Sequence, residues 1–421
     1  MNADLVIRPL EESPSSAVLL ALARVVADAY PISGIDSAEK ISSSANELTS
    51  LARQTSSRWI VAESNGTLAG AMRLYDYEMN VRGHTALAGG VGSVAVALAH
   101  KRRGVARSLI AWYLDHYRGR GAAFAILHAF RPDFYRALGF GYGTPVHRYR
   151  FAPAALYVAG ARGSVRELNV ADVDAILACT DRVRAVTNGL IAKHRSTIER
   201  TLRERKSVYI GAQNGGTLRA YAQTVVELGE AGRTNHNSLV VRDIHAEDGE
   251  SFAAILAYLR RQSDQFASIV IESQDDALYL AANDPRDGSN VVIAPPAVHR
   301  IADTGLGMMY RTLDVPAAAA YLRETLDPFV LRIVVSDGFY EPTAGTWTFR
   351  FGPHAPLADA DAEPGATLHV ESCDLASLVV AALDVRALVR HRRARIEPAE
   401  ALGRVDRLFR TDPPPVSNTR F

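Results

Sequence analysis

GGVGSVAVALAHKRRGVARSLIAWYL (residues 89–114) and ILHAFRPDFYRALGFGY (residues 126–142) decide how this chain reads. A valine-rich run, Val91 to Leu98, has the composition of a strand. It enters a basic turn, Lys101-Arg102-Arg103-Gly104, after which Ala106, Leu109, Ile110, Tyr113 and Leu114 recur at helical spacing. A helix start presents unpaired N–H groups and a partial positive charge, so it can hold a phosphate. Gly104 lets the backbone approach closely, and the cations add charge-assisted contacts. The turn therefore reads as a pyrophosphate site. Alone, such a turn is more often a solvated helix start with a few surface basic residues, so the second stretch matters. There a strand over 123–127 precedes a short helix from Pro132 to Leu138, closed by Gly139-Phe140-Gly141.

The rest of the chain sets bounds. Its 421 residues exceed one ordinary core and suggest about three domains. A hydrophobic share of 48% with 22% charged residues is that of a soluble globular protein. The formal charge of +1 excludes bulk attraction to nucleic acid or to an anionic membrane, so the basic turn is local. Cys179 and Cys373 are too few for a disulfide framework or a cysteine zinc site, which implies a reducing compartment. Asp4, Arg8 and Glu11 interrupt any secretory apolar core, and no apolar run reaches the roughly 18 residues of a membrane span. The expected location is the cytoplasm.

Leu5 to Leu10 reads as a strand stopping near Pro9, and Ala17 to Tyr30 as a helix started by Pro14-Ser15-Ser16. Residues 36–54 read as a more polar helix, and Asn65-Gly66 as a hairpin turn between Arg58–Glu63 and Leu68–Leu74. Val146 to Phe151 is expected to return as the first domain's last strand, before the Pro/Ala/Gly-rich linker 152–164. Mixed hairpins and helices imply an α+β sheet domain.

Aligning His100 with His245, an offset of 145, lays GSVAVALAHKRRGVARSLIAWYL over NSLVVRDIHAEDGESFAAILAYL. Val241, Gly249, Ile255 and Tyr258-Leu259 then repeat Val96, Gly104, Ile110 and Tyr113-Leu114, which marks an internal repeat. Its turn is Ala246-Glu247-Asp248, and two carboxylates there would repel a pyrophosphate. Asn214-Gly215-Gly216 reads as a hairpin turn, not a phosphate loop. Further on, Gly307 to Leu313 reads as a strand and Pro316 starts a helix. Strands follow near 329–335, 346–351 and 367–371, then a helix-forming tail from Asp374 to about Phe409 and a stiff Pro413-Pro414-Pro415 arm. The domains so read are 1–152, 165–295 and 296–421.

Lys101-x-x-Gly104-x-Ala106, followed by Tyr135-x-x-x-Gly139-Phe140, resembles the signature of the GCN5-related N-acetyltransferases. Lys101 stands where that signature has Gln or Arg. Ala97-x-x-His100-Lys101-Arg102-Arg103-Gly104, the decayed repeat and the ending Leu408-Phe409-x-Thr411-Asp412 to Phe421 narrow the likeness. Together they resemble the enhanced-intracellular-survival (Eis) type. That resemblance implies two tandem acetyltransferase-like domains, the second degenerate, followed by a sterol-carrier-protein-like α/β domain. It implies acetyl-CoA as co-substrate, no metal, homohexamers, and transfer to an amine of an aminoglycoside, another small molecule or a lysine.

Residue by residue, the resemblance puts Arg102, Arg103, Gly104, Val105, Ala106 and Arg107 on the pyrophosphate. Val94, Ala95 and Val96 become main-chain partners of the pantetheine, with Phe130 and Arg131 bordering the cofactor. Tyr135 becomes the general acid and the terminal carboxylate of Phe421 the base. His128, Tyr30 and Arg420 fall in the substrate pocket. Acetyl transfer to an amine expels a thiolate that needs a proton, and a phenol of ordinary pKa near 10 can supply it. Phe134, on the other face of its helix, is the expected core residue. An α-carboxylate with pKa about 3.5 must be raised by burial to serve as a base. Arg420 stands where family members carry an acidic residue, and a cation there opposes polycationic aminoglycosides by roughly tenths to several kcal/mol. Neither cysteine lies in the signature stretch, which fits direct transfer. The alternative is a non-catalytic acyl-CoA or lipid-binding scaffold.

Overall fold

A computed structural model describes residues 5–31, 37, 39–43, 57–161, 163–204, 206–229, 236–289, 291–322, 327–354, 356–417 and 419. It divides into two compact units, Met1–Gly143 with Met308–Pro415 and Thr144–Gly307 with Val416–Thr419. In the first, β1 (Leu5–Pro9) leads to α1 (Ser16–Ala29), whose cap Ser15 accepts the Val18 amide. Of the polar helix expected over 36–54, residues 39–43 are helical and most of the rest lies outside the described residues. β2 (Ser57–Ser64) and β3 (Thr67–Val81) form the expected hairpin, with Asn65 and Gly66 both at positive φ. β4 (His84–Val96), α2 (Val105–Gly119), β5 (Phe124–Leu127), α3 (Pro132–Arg136) and β6 (Gly141–Tyr142) follow.

The first sheet runs β1-β2-β3-β4-β5, then Met309–Thr312, then β6. One of its strands thus comes from almost 170 residues downstream of β6. Val146–Phe151 (β7), expected to close this sheet, belongs instead to the sheet of the second unit. Met309–Thr312 is too short and Val146–Phe151 too irregular to show a period of two, so local pattern assigns neither to a sheet. Packing decides: Met309 and Leu313 enter the first core beside Leu127 and Phe140, while Tyr149 and Phe151 enter the second beside Ile269 and Ile271.

In the second unit, β8 (Ser164–Leu168), α4 (Val173–Val186), α5 (Arg195–Glu204), β9 (Val208–Asn214), β10 (Thr217–Glu227), β11 (Ser238–Ala246), α6 (Gly249–Arg260) and β12 (Ser268–Ser273) follow β7. The sheet order is β8-β9-β10-β11-β12-β7, then Ala302–Gly305. Its first five places repeat the first sheet, down to one parallel pair, β11 with β12 answering β4 with β5, while the sixth is filled from upstream by β7 where the first sheet takes the downstream Met309–Thr312. The repeat read from residues 92–114 and 237–259 is therefore a repeat of topology.

The C-terminal part of the first unit has a five-stranded sheet centred on Phe329–Ser336, with Leu331, Ile333 and Val335 inward. The expected helix-forming tail is three helices, Ser372–Val379, Val385–Arg390 and Leu402–Phe409, the last two separated by a strand, Ala394–Glu397. Four residues are too few to show a period of two, and pairing with Ala366–Glu371 makes the strand.

Asp76 on β3 gathers Arg58 at 2.5 Å, Arg120 at 2.7 Å and the Tyr117 hydroxyl at 2.7 Å. Burial pushes its pKa up, but the Arg120 and Tyr117 bonds and both cations outweigh it and hold the carboxyl at about 2. A folded pKa below the unfolded value stabilises above pH 4 and loses that stabilisation as pH falls towards 2. The stability gap between wild type and Asp76→Asn should therefore shrink between pH 5 and 2 in urea titrations. A constant gap would sink this assignment.

Candidate active site

β4 and β5 pair only from Ala88↔Phe124 to Gly90↔Ile126 and then part. Tyr113 on α2 stands at the parting point. Its hydroxyl donates to the Gly89 carbonyl at 2.6 Å and accepts the Ile126 amide at 3.1 Å. Gly89 has no room for a side chain, because a Cβ would meet the Tyr117 ring at 2.3 Å. Beyond Gly90, β4 has no β5 partner.

On its other side, β4 carries a bulge. Gly92 faces Arg73 and Ala95 faces Ala71, so Ser93 and Val94 together oppose Met72. Ser93 sits at φ 50°, and the Tyr30 hydroxyl donates to the Val94 carbonyl at 3.1 Å. Burial, then the neighbouring Tyr75, raises the Tyr30 pKa.

A cavity of about 330 Å³ opens here. Tyr30, His128, Phe130 and Tyr135 line it together with Val26 and the β4 run Val91 to Val94. Tyr135 is only 3% exposed, its ring meeting those of Phe130, Phe134 and Phe140 edge-on. Among the described residues nothing hydrogen-bonds its hydroxyl. Burial, then Tyr30, raises its pKa well above the ordinary phenol value. Phe134 is only half-buried, so the expectation that it rather than Tyr135 is the core residue is corrected. The short helix turns Tyr135 inward because the Leu138 and Phe140 amides both bond its carbonyl and fold the chain back.

α2 begins differently from its counterpart α6. Its cap, Gly104 at φ 81°, places no side chain on the first-turn amides, and that turn holds no acidic residue. In α6 the cap is Asp248, whose carboxylate takes the Ser251 amide at 2.7 Å. Glu247 is held by Arg182 and Arg219, each at 2.8 Å. The second helix start is thus capped by a side chain of its own chain, while the first has no side-chain cap.

The sequence-predicted residues sort as follows. Tyr30, Val94, His128, Phe130 and Tyr135 share the cavity wall. Ala95 is buried against β3, and Val96 ends the strand. Arg102, Arg103, Gly104, Val105, Ala106 and Arg107 form the turn and first turn of α2, Arg107 lying over the Phe339 ring at 4.5 Å. Arg131 is exposed and pairs with Asp133. Arg420 and Phe421 lie outside the described residues. Sequence reasoning missed Val26, Val91, Gly92 and Ser93; the Gly-Val-Gly-Ser run before Val94 was the available signal for a bulge. Glu371, Cys373 and Asp374 bring ligand atoms within 4.8 Å of one another, but Arg393 engages both carboxylates and Arg136 engages Asp374.

Comparison with known proteins fits this geometry. Residues 7–143 match the acetyltransferase (GNAT) domain model, and residues 317–418 match a sterol carrier protein domain. Eis1 from Mycobacterium abscessus superposes with a TM-score of 0.76 at 20% identity, covering 99% of this chain and all of that one. The chain shares the fold of that protein from end to end. A GCN5-related N-acetyltransferase from Kribbella flavida gives 0.75 at 19% identity with the same coverage. An uncharacterized N-acetyltransferase from Streptomyces coelicolor is 39% identical over 71 residues, so the chain spans 17% of that relative's length. The cavity and all strands of the first sheet but Met309–Thr312 fall in the GNAT match, and the five-stranded sheet falls in the sterol carrier match. No helix among the described residues is long and apolar enough to cross a membrane.

Proposed function

We propose that this chain is an acetyl-CoA-dependent N-acetyltransferase that passes acetyl directly to a primary amine of an aminoglycoside-like or other small molecule, or of a lysine. The observation that carries this reading is Tyr135. A buried tyrosine kept for structure bonds its hydroxyl to the protein. This one leaves its hydroxyl without a partner among the described residues, on the wall of a cavity. The other residues fit acetyl-CoA: the uncapped start of α2 suits a pyrophosphate, and the β4 edge beyond Gly90 offers backbone groups to an extended arm. When bound, acetyl-CoA supplies the acetyl thioester.

Tyr135 then holds a proton for the departing sulfur, its burial keeping the phenol protonated at working pH. His128 and Phe130 border the amine's approach, and the resemblance gives the amine's proton to the Phe421 carboxylate. Resemblance also supports a homohexamer, and the buried, free Cys179 and Cys373 suit the reducing cytoplasm.

Thiol release from acetyl-CoA with a panel of monoamines, a lysine peptide and an aminoglycoside tests the proposal. Release with at least one amine, and the acetylated amine by mass, is the expected result. Tight acetyl-CoA binding with no release for any amine would leave the scaffold alternative standing. Deleting Phe421 should lower turnover about 10²-fold or more if its carboxylate is the base, and unchanged turnover removes it from that role.

A further inference from the structure

We propose that Arg311, locked to Asp337, is a positioning residue that sets Tyr135 against α2; this rests on the acetyltransferase reading above. Arg311 lies on the strand Met309–Thr312, wedged between β5 and β6, and is 0% exposed. One guanidinium nitrogen donates to the Leu138 carbonyl, and another reaches the Asp337 carboxylate and the Thr343 hydroxyl. The Leu138 amide in turn bonds the Tyr135 carbonyl at 3.0 Å. Gly139 leaves the space: a Cβ there would lie 1.4 Å from the guanidinium. Arg311 therefore sits on the last turn of the segment that carries Tyr135.

Asp337 extends the lock to α2. Its carboxylate accepts the Phe339 amide at 2.9 Å, the Tyr340 amide at 3.0 Å and the Thr343 hydroxyl at 2.6 Å, which fixes the loop that carries them. From that loop the Phe339 ring lies under Arg107, and the Tyr340 hydroxyl donates to Asp115 at 2.7 Å. Arg107 and Asp115 both belong to α2. One buried ion pair thus holds the acid-bearing turn and the anion-binding helix to a single loop. A second tether, Arg136 to Asp374 at 2.7 Å, fixes the next residue after Tyr135.

A buried ion pair is a poor source of stability compared with apolar packing, while removing one partner is costly. Its gain here is geometry. Arg311 presents a planar fork that reaches a carbonyl and a carboxylate at once, which a lysine ammonium on a flexible stem does not reproduce. A displacement of about 1 Å in an acid suffices to cost roughly 10²-fold in rate.

Arg311→Lys and Tyr135→Phe, singly and together in the full chain, test this by steady-state thiol release. Arg311→Lys should lower kcat about 10²-fold with the KM for acetyl-CoA within about twofold. The double variant should fall no more than about threefold below Tyr135→Phe alone, because a misplaced acid and an absent one are the same loss. Losses that multiply, or a kcat within about threefold of wild type, overturn the proposal. Should Arg311→Lys fail to fold, Asp337→Asn enters the same cycle with the same two readings. Hydrogen exchange of the 135–140 amides separates this idea from the parent one. If wild type releases no thiol, the acetyltransferase reading fails, and the lock is judged by exchange alone. Faster exchange at 138–140 than in α1 on substitution supports it, and equal change throughout overturns it.

Discussion

Tyr135→Phe lowers kcat for acetyl transfer by about 10²–10⁴-fold, the range for loss of a positioned general acid, with stability close to wild type. Stability is spared because the hydroxyl makes no hydrogen bond among the described residues, while the ring that packs on Phe130, Phe134 and Phe140 is kept. A tyrosine kept only for packing would show the opposite result, unchanged turnover. The pH profile adds a second check. The raised phenol pKa means Tyr135 stays protonated, and able to donate, beyond pH 10. Turnover should climb as the amine loses its proton and then hold level, with no falling limb up to about pH 10. A falling limb centred at pH 8–9 that vanishes in Tyr135→Phe would show the acid titrating early and refute its burial.

Gly139→Ala should be among the most damaging single-methyl substitutions in the chain. Two costs combine. Gly139 sits at φ 80°, where an L side chain costs about 1–2 kcal/mol. Its added Cβ would lie 1.4 Å from the Arg311 guanidinium, so Arg311 must leave Leu138 or Asp337. Disrupting a buried pair costs about 3–5 kcal/mol, so a loss of roughly 4 kcal/mol or more is expected in denaturant titrations. Gly249→Ala is the control, since nothing lies within 4 Å of its Cβ and its φ is ordinary. It should stay within about 0.5 kcal/mol of wild type. Equal stability of the two variants would show that Arg311 can move aside freely.

Gly139 also shows how far sequence reasoning reached. As part of Tyr-x-x-x-Gly-Phe it was legible as a signature. Its physical reason was not, because the guanidinium it accommodates lies 172 residues further along the chain. The acidic turn of the repeat behaves alike. Charge inversion at Glu247-Asp248 was readable and pointed to a helix start that binds no phosphate. That Asp248 caps α6 and that Arg182 and Arg219 hold Glu247 needed coordinates.

The sequence by itself determined the strand, turn and helix from Gly89 to Tyr142, the repeat, and the residues around Tyr135. These follow from local rules: periodicity of apolar residues, glycine at positive φ, and the chemistry of a helix start. Tertiary structure alone decided which sheet receives Val146–Phe151 and which receives Met309–Thr312. It also decided that Tyr135, not Phe134, turns into the core, and that Arg311 stands behind it. Local pattern says which face of a strand or helix is apolar. Which neighbour covers that face depends on long-range burial and on pairing a charge that cannot be left alone inside.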